Sequence, residues 1–405
     1  MVATLTRIFG IQNLTLAEDV VQDAFCRAIE VWKFGSVPEN PSAWLMAVAR
    51  NRALDILRRE RRARTCEPEL SRFLGSEWTL ASAVEERFSE TAIRNDQLRM
   101  MFSCCHPRLS EEAQVMLILH ILCGFSVDEV ARAFVTTHTG AAKRISRAKK
   151  VLAASKRLFD TQVSPDFSAR LPAVERALYL LFNQGYHGPS AESPVRAGLC
   201  RESIRLARLL LEQPHGATPA THALLALMCL NAARLPARVD AWSGDLTPLR
   251  EQDRSKWDQK LAAEGIRFLE LAASGPDATD YHVEAAIASV HATAGRFEDT
   301  DWDQIVSLYD MLMAMHPSPI VALNRAIAIA ERNGPERGLE EIHAIPERDR
   351  MRSYPFYEAA LGELELRCGR HEAACEHFDA AVDAARNQME RRFLRQRLNA
   401  SKRAG

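Results

Sequence analysis

The spacing of apolar residues is the feature that most constrains the fold of this chain. Over nearly all of the 405 residues, that spacing is the one expected of α-helices. Near the N-terminus, intervals of three and four residues connect one such series: Val20, Val21, Ala24, Phe25, Ala28, Ile29 and Trp32. That spacing places side chains on one face of an α-helix. Hardly any segment alternates polar and apolar residues, as half-buried β-strands do. We therefore predict an all-α protein.

Capping signals predict where the first helices begin. Thr15 and Glu18 have the spacing of a capping box, which predicts a helix over residues 15–32. Asn40 is a good N-cap and is followed by a proline, which favours the first position of a helix over residues 41–62.

Three further helices are predicted close together, over residues 110–123, 126–134 and 139–156, the first of them capped by Ser110. Ser126 and Glu129 form a second capping box, at the start of the middle helix. The short middle helix, a turn of sequence VTTH and a basic third helix have the proportions of a helix-turn-helix.

The chain divides into two small helical domains and a larger C-terminal one. The predicted segments are a first domain over 1–64, a linker over 65–98 with a short helix around 81–88, a second domain over 99–159 and a C-terminal domain over 172–399. The stretch DTQVSPDFSARLP at 160–172 is typical of a domain boundary.

Repeats near the C-terminus indicate the architecture of that last domain. The stretch LGELELRCGRHEAACEHFDAA has the small and large residues of a tetratricopeptide helix pair: Leu361, Gly362, Ala374, Phe378 and Ala381. A looser copy precedes it, with Tyr309, Pro317, Leu323, Gly338 and Ile342. We predict an α-solenoid-like, tetratricopeptide-like domain, and an irregular helical bundle remains the alternative.

Charge is balanced overall but concentrated locally. The chain has 52 Lys and Arg against 53 Asp and Glu, a net charge of −1. Yet residues 50–64 contain seven arginines against two acids, and residues 143–157 contain seven basic residues and no acid. Two dense basic helices in one near-neutral chain indicate a polyanion that is bound at two places.

The arginine-rich helix has one apolar face and one polar face. On a helical wheel the apolar face contains Leu45, Met46, Ala49, Ala53, Ile56 and Leu57. The opposite side contains Asn51, Asp55, Arg58, Arg59 and Arg62. A solvated helix face usually alternates Glu and Lys, whereas the guanidinium group of arginine makes paired hydrogen bonds to phosphates and base edges. This pattern favours nucleic-acid binding, with an ordinary charged face as the alternative.

The third helix of the predicted helix-turn-helix is also basic on its polar side. Ile145, Ala148 and Leu152 form its predicted buried face. The N-terminal part of such a helix reads base edges, and later basic residues hold phosphates. The candidate DNA contacts are His138, Thr139, Ala142, Lys143, Arg144, Arg147 and Lys150. A basic surface helix without a DNA role remains the alternative.

The helix over residues 15–32 has the opposite charge. Its polar face contains Glu18, Asp19, Gln22, Asp23 and Glu30, with Arg27 as the exception, and DNA would repel this acidic face. Such a face suits a basic protein partner.

Other classes of function find little support. No stretch of about 18 apolar residues occurs, so neither a signal peptide nor a membrane interaction is predicted. Nine cysteines at irregular spacing fit the reducing cytoplasm. SCCHP at 103–107 lacks the spacing of a zinc site, so we predict that Cys104 and Cys105 are small buried fillers. No nucleotide-binding loop is present, and we predict no enzyme, cofactor, metal or catalytic residue. The polar residues and glycines of FNQGYHGPSAESP could form a small-molecule pocket, but the interpretation as the end of a helix followed by a turn is favoured.

Several stretches in the right order resemble regions 2 and 4 of bacterial RNA polymerase sigma factors of the extracytoplasmic-function type. These are LAEDVVQDAFCRAIEVW, NPSAWLMAVARNRALDILRRERR and LSEEAQVMLILHILCGFSVDEVARAFVTTHTGAAKRISRAKKVLA. LRMMFSCCHPRLSEEAQ, LYLLFNQGY, QDRSKWDQKLAAEG and HPSPIVALNRAIAIAE resemble the subgroup that has a long tetratricopeptide-like extension. The subgroup has an acid where Gln184 stands here, and its members usually have more helix before the segment matching Val2–Phe9.

The resemblance implies a role for each candidate residue. It implies that Asp19, Gln22 and Asp23 dock on the β′ coiled coil of core RNA polymerase, which also contacts such factors through its β subunit. It implies that Glu39, Asn40 and Trp44 lie near a captured base of the −10 element, while Asn51, Asp55, Arg58, Arg59 and Arg62 line the DNA. The helix from Thr139 would read the −35 element in the major groove.

The predicted function is therefore a sigma factor that directs promoter-specific transcription initiation, with a C-terminal domain that modulates it. That domain is expected to contact a regulatory protein or the sigma domains themselves. Two alternatives remain: a polymerase-independent helix-turn-helix regulator, and a tetratricopeptide scaffold with vestigial DNA-binding modules.

Overall fold

The computed structural model describes residues 1–63, 86, 88–134, 136–155, 159, 166–187, 195–240, 245–275, 277–346, 348–351, 354–385 and 388–404. Across these residues, the regular structure is helical apart from one isolated β-bridge between Val239 and Leu246. The all-α prediction is confirmed. The chain forms two compact units, unit 1 over Met1–Ala177 and unit 2 over Leu178–Gly405, each of which is described by itself.

Unit 1 contains seven described α-helices before the helix in which the unit boundary falls. They are α1 (Val2–Phe9), α2 (Leu14–Phe34), α3 (Pro41–Ala63), α4 (Glu90–Cys104), α5 (Glu111–Leu117), α6 (Val127–Ala133) and α7 (His138–Ala154). A 3-10 turn over Ile11–Asn13 precedes α2, and a π-helical turn over Ile118–Leu122 continues α5. The boundary falls inside α8 (Phe167–Tyr186).

Three of the predicted caps are confirmed and one is wrong. Asn40 Oδ1 accepts the Ala43 backbone N–H at 3.0 Å, and Ser110 Oγ accepts that of Ala113 at 3.4 Å. Ser126 forms the predicted capping box with Glu129. Helix α2, however, begins at Leu14 rather than at a Thr15 cap, because the preceding 3-10 turn leads directly into it.

Two buried clusters hold unit 1 together. In the first, α1, α2 and α3 contribute Leu5, Phe9, Ala17, Val20, Ala24, Ala49 and Ala53. In the second, Phe102 of α4 stacks on Phe159 and Phe167 with ring centroids 5.2 and 4.5 Å apart. Small alanines at the first cluster allow close helix approach, so the long polar faces of α2 and α3 remain in solvent.

The segment predicted as a linker contains the start of a long helix. Helix α4 begins at Glu90, capped by Ser89, and its last part is buried on all sides from Met100 to Cys104. Its first part is polar and its last turn is buried on every side, so neither part shows a three-to-four apolar period, and the sequence pattern missed this helix. The short helix predicted around residues 81–88 lies almost wholly outside the described residues.

Unit 2 continues as a succession of helices. They are α9 (Ala197–Leu211), α10 (Pro219–Ala233), α11 (Leu235–Arg238), α12 (Gln259–Ala272), α13 (Asp280–Thr293), α14 (Trp302–Met315), α15 (Pro319–Asn333), α16 (Pro335–His343), α17 (Pro355–Arg367), α18 (His371–Ala384) and α19 (Gln388–Ala404). Short 3-10 turns occur over Leu249–Glu251, Arg254–Lys256 and Arg348–Met351.

The predicted repeat residues lie where helices meet. A Cβ on Gly362 of α17 would lie 3.1 Å from the ring of Phe378 in α18, so glycine allows this close approach. Leu361, Ala374, Phe378 and Ala381 are all buried. In the upstream stretch, a Cβ on Gly338 would lie 2.3 Å from that of Ala330. Small residues therefore set the spacing of neighbouring helices here.

Candidate nucleic-acid interface

Helix α3 presents the predicted polar face to solvent. Ala49 and Ala53 are fully buried on its inner side. Asn51, Asp55 and Arg59 are exposed on the outer side, and Arg58 is half-buried. Arg62 lies within the helix, but its side chain is outside the described part of the chain.

The residues at the N-terminal end of α3 form a separate group. Glu39 and Asn40 are exposed, and Asn40 serves as the helix cap. Trp44 is half-buried against Trp32, with ring centroids 5.3 Å apart. Trp44 and Arg58 are fourteen residues apart, which corresponds to roughly 21 Å along a helix at 1.5 Å per residue. The structure thus arranges these candidates along a line rather than in one pocket.

Two ion pairs modify the predicted charges of this face. Arg58 lies 3.7 Å from Asp55 on the same helix. Arg52 Nε donates to Asp23 Oδ2 at 3.2 Å and so connects α3 to α2. The second pair could not be predicted from the sequence, because its partners are distant in the chain. Asp23 is therefore not a free acid on the face of α2.

Helix α2 combines acidic residues with exposed apolar ones. Asp19, Gln22 and Asp23 are exposed, as predicted. Phe25 and Ile29 share the helical spacing of the buried Val20 and Ala24, but their side chains are 49% and 69% exposed. The buried side of α2 is narrower than predicted because its smallest residues face α1 and α3. An apolar centre with a polar margin is typical of a protein-binding surface.

Helix α7 matches the predicted division into buried and exposed residues. Ile145, Ala148 and Leu152 are buried as predicted. The helix begins at His138, one residue earlier than predicted, because Thr137 Oγ1 accepts the Gly140 N–H at 3.1 Å. Ala142 is half-buried, and the exposed candidates are His138, Thr139, Lys143, Arg144, Arg147 and Lys150.

The cations of α7 differ in their partners. Arg144 is paired with Glu112 of α5, and His138 lies 3.9 Å from Asp128. Within the described residues, Lys143, Arg147 and Lys150 have no carboxylate within 4.0 Å. These three side chains are available to neutralise phosphates, whereas Arg144 must leave Glu112 or share it.

A three-residue contact links the acidic helix to the basic one. Lys149 Nζ of α7 donates to both oxygens of Glu18 in α2, at 2.6 and 2.7 Å. His120 lies beside them: its Nδ1 donates to the carbonyl of Phe125 at 2.7 Å, and its Nε2 lies 3.0 Å from Lys149 Nζ and 3.4 Å from Glu18 Oε1. Burial raises the pKa of Glu18, but hydrogen bonds from His120 and Lys149 outweigh it and lower that pKa overall.

Replacement of Glu18 by Gln is expected to destabilise unit 1 by about 1–2 kcal/mol at neutral pH, between the values for exposed and buried ion pairs. Because the folded pKa of Glu18 is below its usual 4.5, the contribution is present above pH 4.5 and is lost as pH falls through the folded value. Urea unfolding of both proteins over a pH series measures this. Glu30→Gln is the control, since its pair with Arg27 is exposed. A difference that stays constant down to low pH would contradict the assignment.

The cysteines predicted to be buried fillers are buried. Cys104 and Cys105 are 0% and 1% exposed. Burial raises the pKa of the Cys105 thiol to about 12, so it stays protonated and packs as a small apolar side chain. Among the helices of the described chain, none is long and apolar enough to cross a membrane.

Comparison with known proteins matches the N-terminal helices to a described family. The sigma-70 region 2 family matches residues 2–63, which contain α1, α2 and α3. A family of unknown function, DUF6596, matches residues 170–273. An uncharacterized protein of Rhizobium meliloti (strain 1021) is 38% identical over 395 residues, covering 96% of this chain and 90% of that protein. No solved structure matches the chain.

The chain belongs to the same family as this rhizobial protein. Its match to sigma-70 region 2 over residues 2–63 supports membership of the sigma-70 superfamily. Sigma-70 region 2 implies binding to core RNA polymerase and promoter DNA, and so a role in transcription initiation. The predicted resemblance is thereby confirmed at the level of the superfamily.

Proposed function

We propose that this protein is a sigma factor of the extracytoplasmic-function type, which recruits core RNA polymerase to promoters through separate −10 and −35 contacts. The observation that carries the proposal is the charge pattern of unit 1. An acidic face on α2 lies next to an arginine-rich face on α3, and α7 adds a second basic face. A polymerase-independent regulator has no need of the acidic face. The factor acts in the cytoplasm and has no catalytic step of its own.

Helix α2 is the proposed polymerase-docking element. Asp19 and Asp23 steer a basic β′ coiled coil, and Gln22 hydrogen-bonds to it. Phe25 and Ile29 supply the apolar area that such a contact buries at its centre. The predicted acidic residues are thus the margin of the docking surface rather than the whole of it.

Helix α3 is the proposed −10 element. Glu39, Asn40 and Trp44 lie near a base that leaves the stack, and Trp44 offers an aromatic face next to Trp32. Arg58 and Arg59, farther along the helix, hold the backbone of the separated strand. Asn51 and Asp55 lie between the two groups and add polar contacts that a simple phosphate clamp lacks.

Helix α7 is the proposed −35 reader, and α6 with α7 forms the helix-turn-helix. His138, Thr139 and Ala142 are at the end that enters the major groove. Lys143, Arg147 and Lys150 follow on the exposed side and contact phosphates. Arg144 contacts either a base edge or a phosphate.

Unit 2 is the proposed regulatory domain. The close helix packing at Gly362 and Phe378 supports a tetratricopeptide-like arrangement. We propose that this domain modulates the activity of the sigma domains, through a regulatory protein or through an intramolecular contact.

In vitro transcription with bacterial core polymerase tests the proposal. We expect promoter-specific transcripts from templates that are selected with the reconstituted holoenzyme, and none from core polymerase alone. A protein that binds selected duplexes but never supports transcription would instead be a polymerase-independent regulator. A protein that neither binds core polymerase nor DNA would be a scaffold with vestigial modules.

A further inference from the structure

Several half-buried arginines in unit 2 have a carboxylate partner. Arg205 pairs with Glu202 at 2.7 Å, Arg325 with Asp310 at 2.6 Å, and Arg397 with Glu251 at 3.3 Å. This is the expected arrangement, since a guanidinium stays charged when it is taken out of water.

Three half-buried arginines depart from that arrangement. Within the part of the chain that the structure describes, Arg234, Arg238 and Arg254 have no carboxylate within 4.0 Å. Arg254 donates to the carbonyls of His291 and Ala294 at 2.7 and 2.6 Å. The Arg234 side chain makes no hydrogen bond to any described residue.

These arginines converge on aromatic side chains. The guanidinium carbons of Arg234 and Arg254 lie 5.4 and 5.1 Å from the ring centroid of Trp257. That of Arg238 lies 4.1 Å from the ring centroid of Tyr186. Both rings are almost fully buried. The cations come from the end of α10, from α11 and from the 3-10 turn at 254, so separate elements build the cluster.

Positive charge predominates in the cluster, and only Arg254 is partly offset by acids farther away, Glu298 and Asp299. Burial lowers the pKa of the Arg234 guanidinium, and the charge of Arg238 lowers it further, against opposing effects of Tyr186 and Tyr309. Burial, with the charges of Arg234 and Arg254, lowers the pKa of His291 to about 3, so that imidazole is neutral. Arginine does not lose its proton in proteins, so the three charges persist. A bound anion would compensate them.

The same side chains have unused hydrogen-bonding atoms. Among the described residues, the following buried atoms have no hydrogen-bond partner: Nε of Arg234, Arg238 and Arg254, Nε1 of Trp257, Oη of Tyr186 and Nδ1 of His291. Native proteins leave few buried polar atoms unsatisfied. The guanidinium and indole nitrogens can only donate, so the group they lack is an acceptor.

We propose that unit 2 has a binding site, centred on Arg234, for a small molecule that has a phosphate or carboxylate group. Arg234 binds the anionic group with its fork, as arginine binds such oxygens. Arg238 and Arg254, whose terminal nitrogens already donate to Tyr186, His187, His291, Ala294 and Thr300, add positive charge beside it. Trp257 and Tyr186 lie under the guanidinium groups and hold them in position. Because Arg234 is half-buried with its Nε enclosed, the site admits a small anion more readily than a nucleic-acid backbone.

The site also explains two sequence motifs that sigma activity leaves unused. Tyr186 belongs to LYLLFNQGY, and Arg254 and Trp257 belong to QDRSKWDQKLAAEG. All three residues, with Arg234 and Arg238, fall within the matched family of unknown function. The proposal depends on unit 2 alone and does not require that unit 1 act as a sigma factor.

Thermal unfolding and isothermal titration of the full chain test the site, with inorganic phosphate and citrate as probes and sodium chloride at matched ionic strength as reference. We expect at least one probe to bind with one site per chain and to raise the unfolding midpoint with the logarithm of its concentration. Binding by phosphate alone, or by citrate alone, tells which anionic group the site prefers.

Arg234→Met is expected to weaken that binding at least about tenfold, which corresponds to the loss of one hydrogen bond to a charged group. In chloride its midpoint is expected to equal or exceed that of the wild type, because an unpaired charge is removed. The matched control Arg205→Met breaks a carboxylate pair, so it is expected to lower the midpoint and keep the response to the probe. Arg238→Met serves as a second variant where Arg234→Met does not fold.

Three results would overturn the proposal. One is a wild-type chain that binds neither probe. The second is a response that Arg234→Met retains in full. The third is Arg234-dependent binding of a short DNA duplex that is tighter than that of both probes, which would make the cluster a nucleic-acid contact.

Discussion

Reversal of Lys143 and Arg144 to Glu is expected to abolish binding of the −35 duplex, whereas Arg58→Ala with Arg59→Ala mainly impairs promoter opening. Each basic contact to a base or phosphate contributes about 1–3 kcal/mol, so reversing two charges weakens duplex binding by roughly a thousandfold. The alanine pair removes contacts that form only when the strands separate, so closed duplex binding changes little.

The two measurements are fluorescence anisotropy on a −35 duplex and permanganate reactivity of the −10 region in the holoenzyme. Arg144 is paired with Glu112, so its reversal also places two acids together on the surface. Arg176→Glu is the matched control, because Arg176 is paired with Glu111 in the same unit but is not on α7. Equal loss of duplex binding in both double variants would contradict the division of labour between α3 and α7.

The salt dependence of duplex binding gives an independent reading of the same contacts. Each neutralised phosphate contributes about 0.9 to the log–log slope on duplex DNA. Lys143, Arg147 and Lys150 have no acidic partner among the described residues, so they are the main contributors to that slope. Arg144 contributes less, since its contact with Glu112 must be exchanged for one with DNA.

Local signals predicted much of unit 1. The caps at Asn40, Ser110 and Ser126 are short-range hydrogen bonds, and a fixed spacing in the sequence is enough to predict them. The buried face of α7 could be predicted from the helical period alone, because apolar residues such as Ile145 and Ala148 fall on a single face of that helix. The start of α2 was missed because a 3-10 turn leads into it without a cap.

Contacts between distant residues could not be predicted in this way. Glu18 and Lys149 are 131 positions apart, and each alone has the pattern of an exposed charged residue. Phe25 and Ile29 satisfy the helical period, yet no neighbouring helix covers them among the described residues. The arginine cluster around Trp257 is assembled from three elements of unit 2, and each arginine is unremarkable in its own segment.

Reversal of Asp19 and Asp23 to Arg is expected to weaken binding of core RNA polymerase at least about a hundredfold. Two acidic residues that face a basic coiled coil become like charges, which cost several kcal/mol where they meet across an interface. The proposed contact includes the apolar residues Phe25 and Ile29, so the rest of the helix cannot bind while these charges repel. Pull-down and titration of core polymerase with the full chain measure the effect.

Asp23 has a structural partner, and the controls must separate the two roles. Arg52→Ala removes the ion pair with Asp23 but leaves both acids in place, so it is expected to bind polymerase nearly as the wild type does. Ile29→Ser is expected to keep the association rate and speed dissociation, because it removes apolar contact without changing charge. Wild-type affinity in the Asp19→Arg, Asp23→Arg protein would exclude α2 as the docking element. Equal losses in that protein and in Arg52→Ala would assign Asp23 to the packing of α2 on α3 instead.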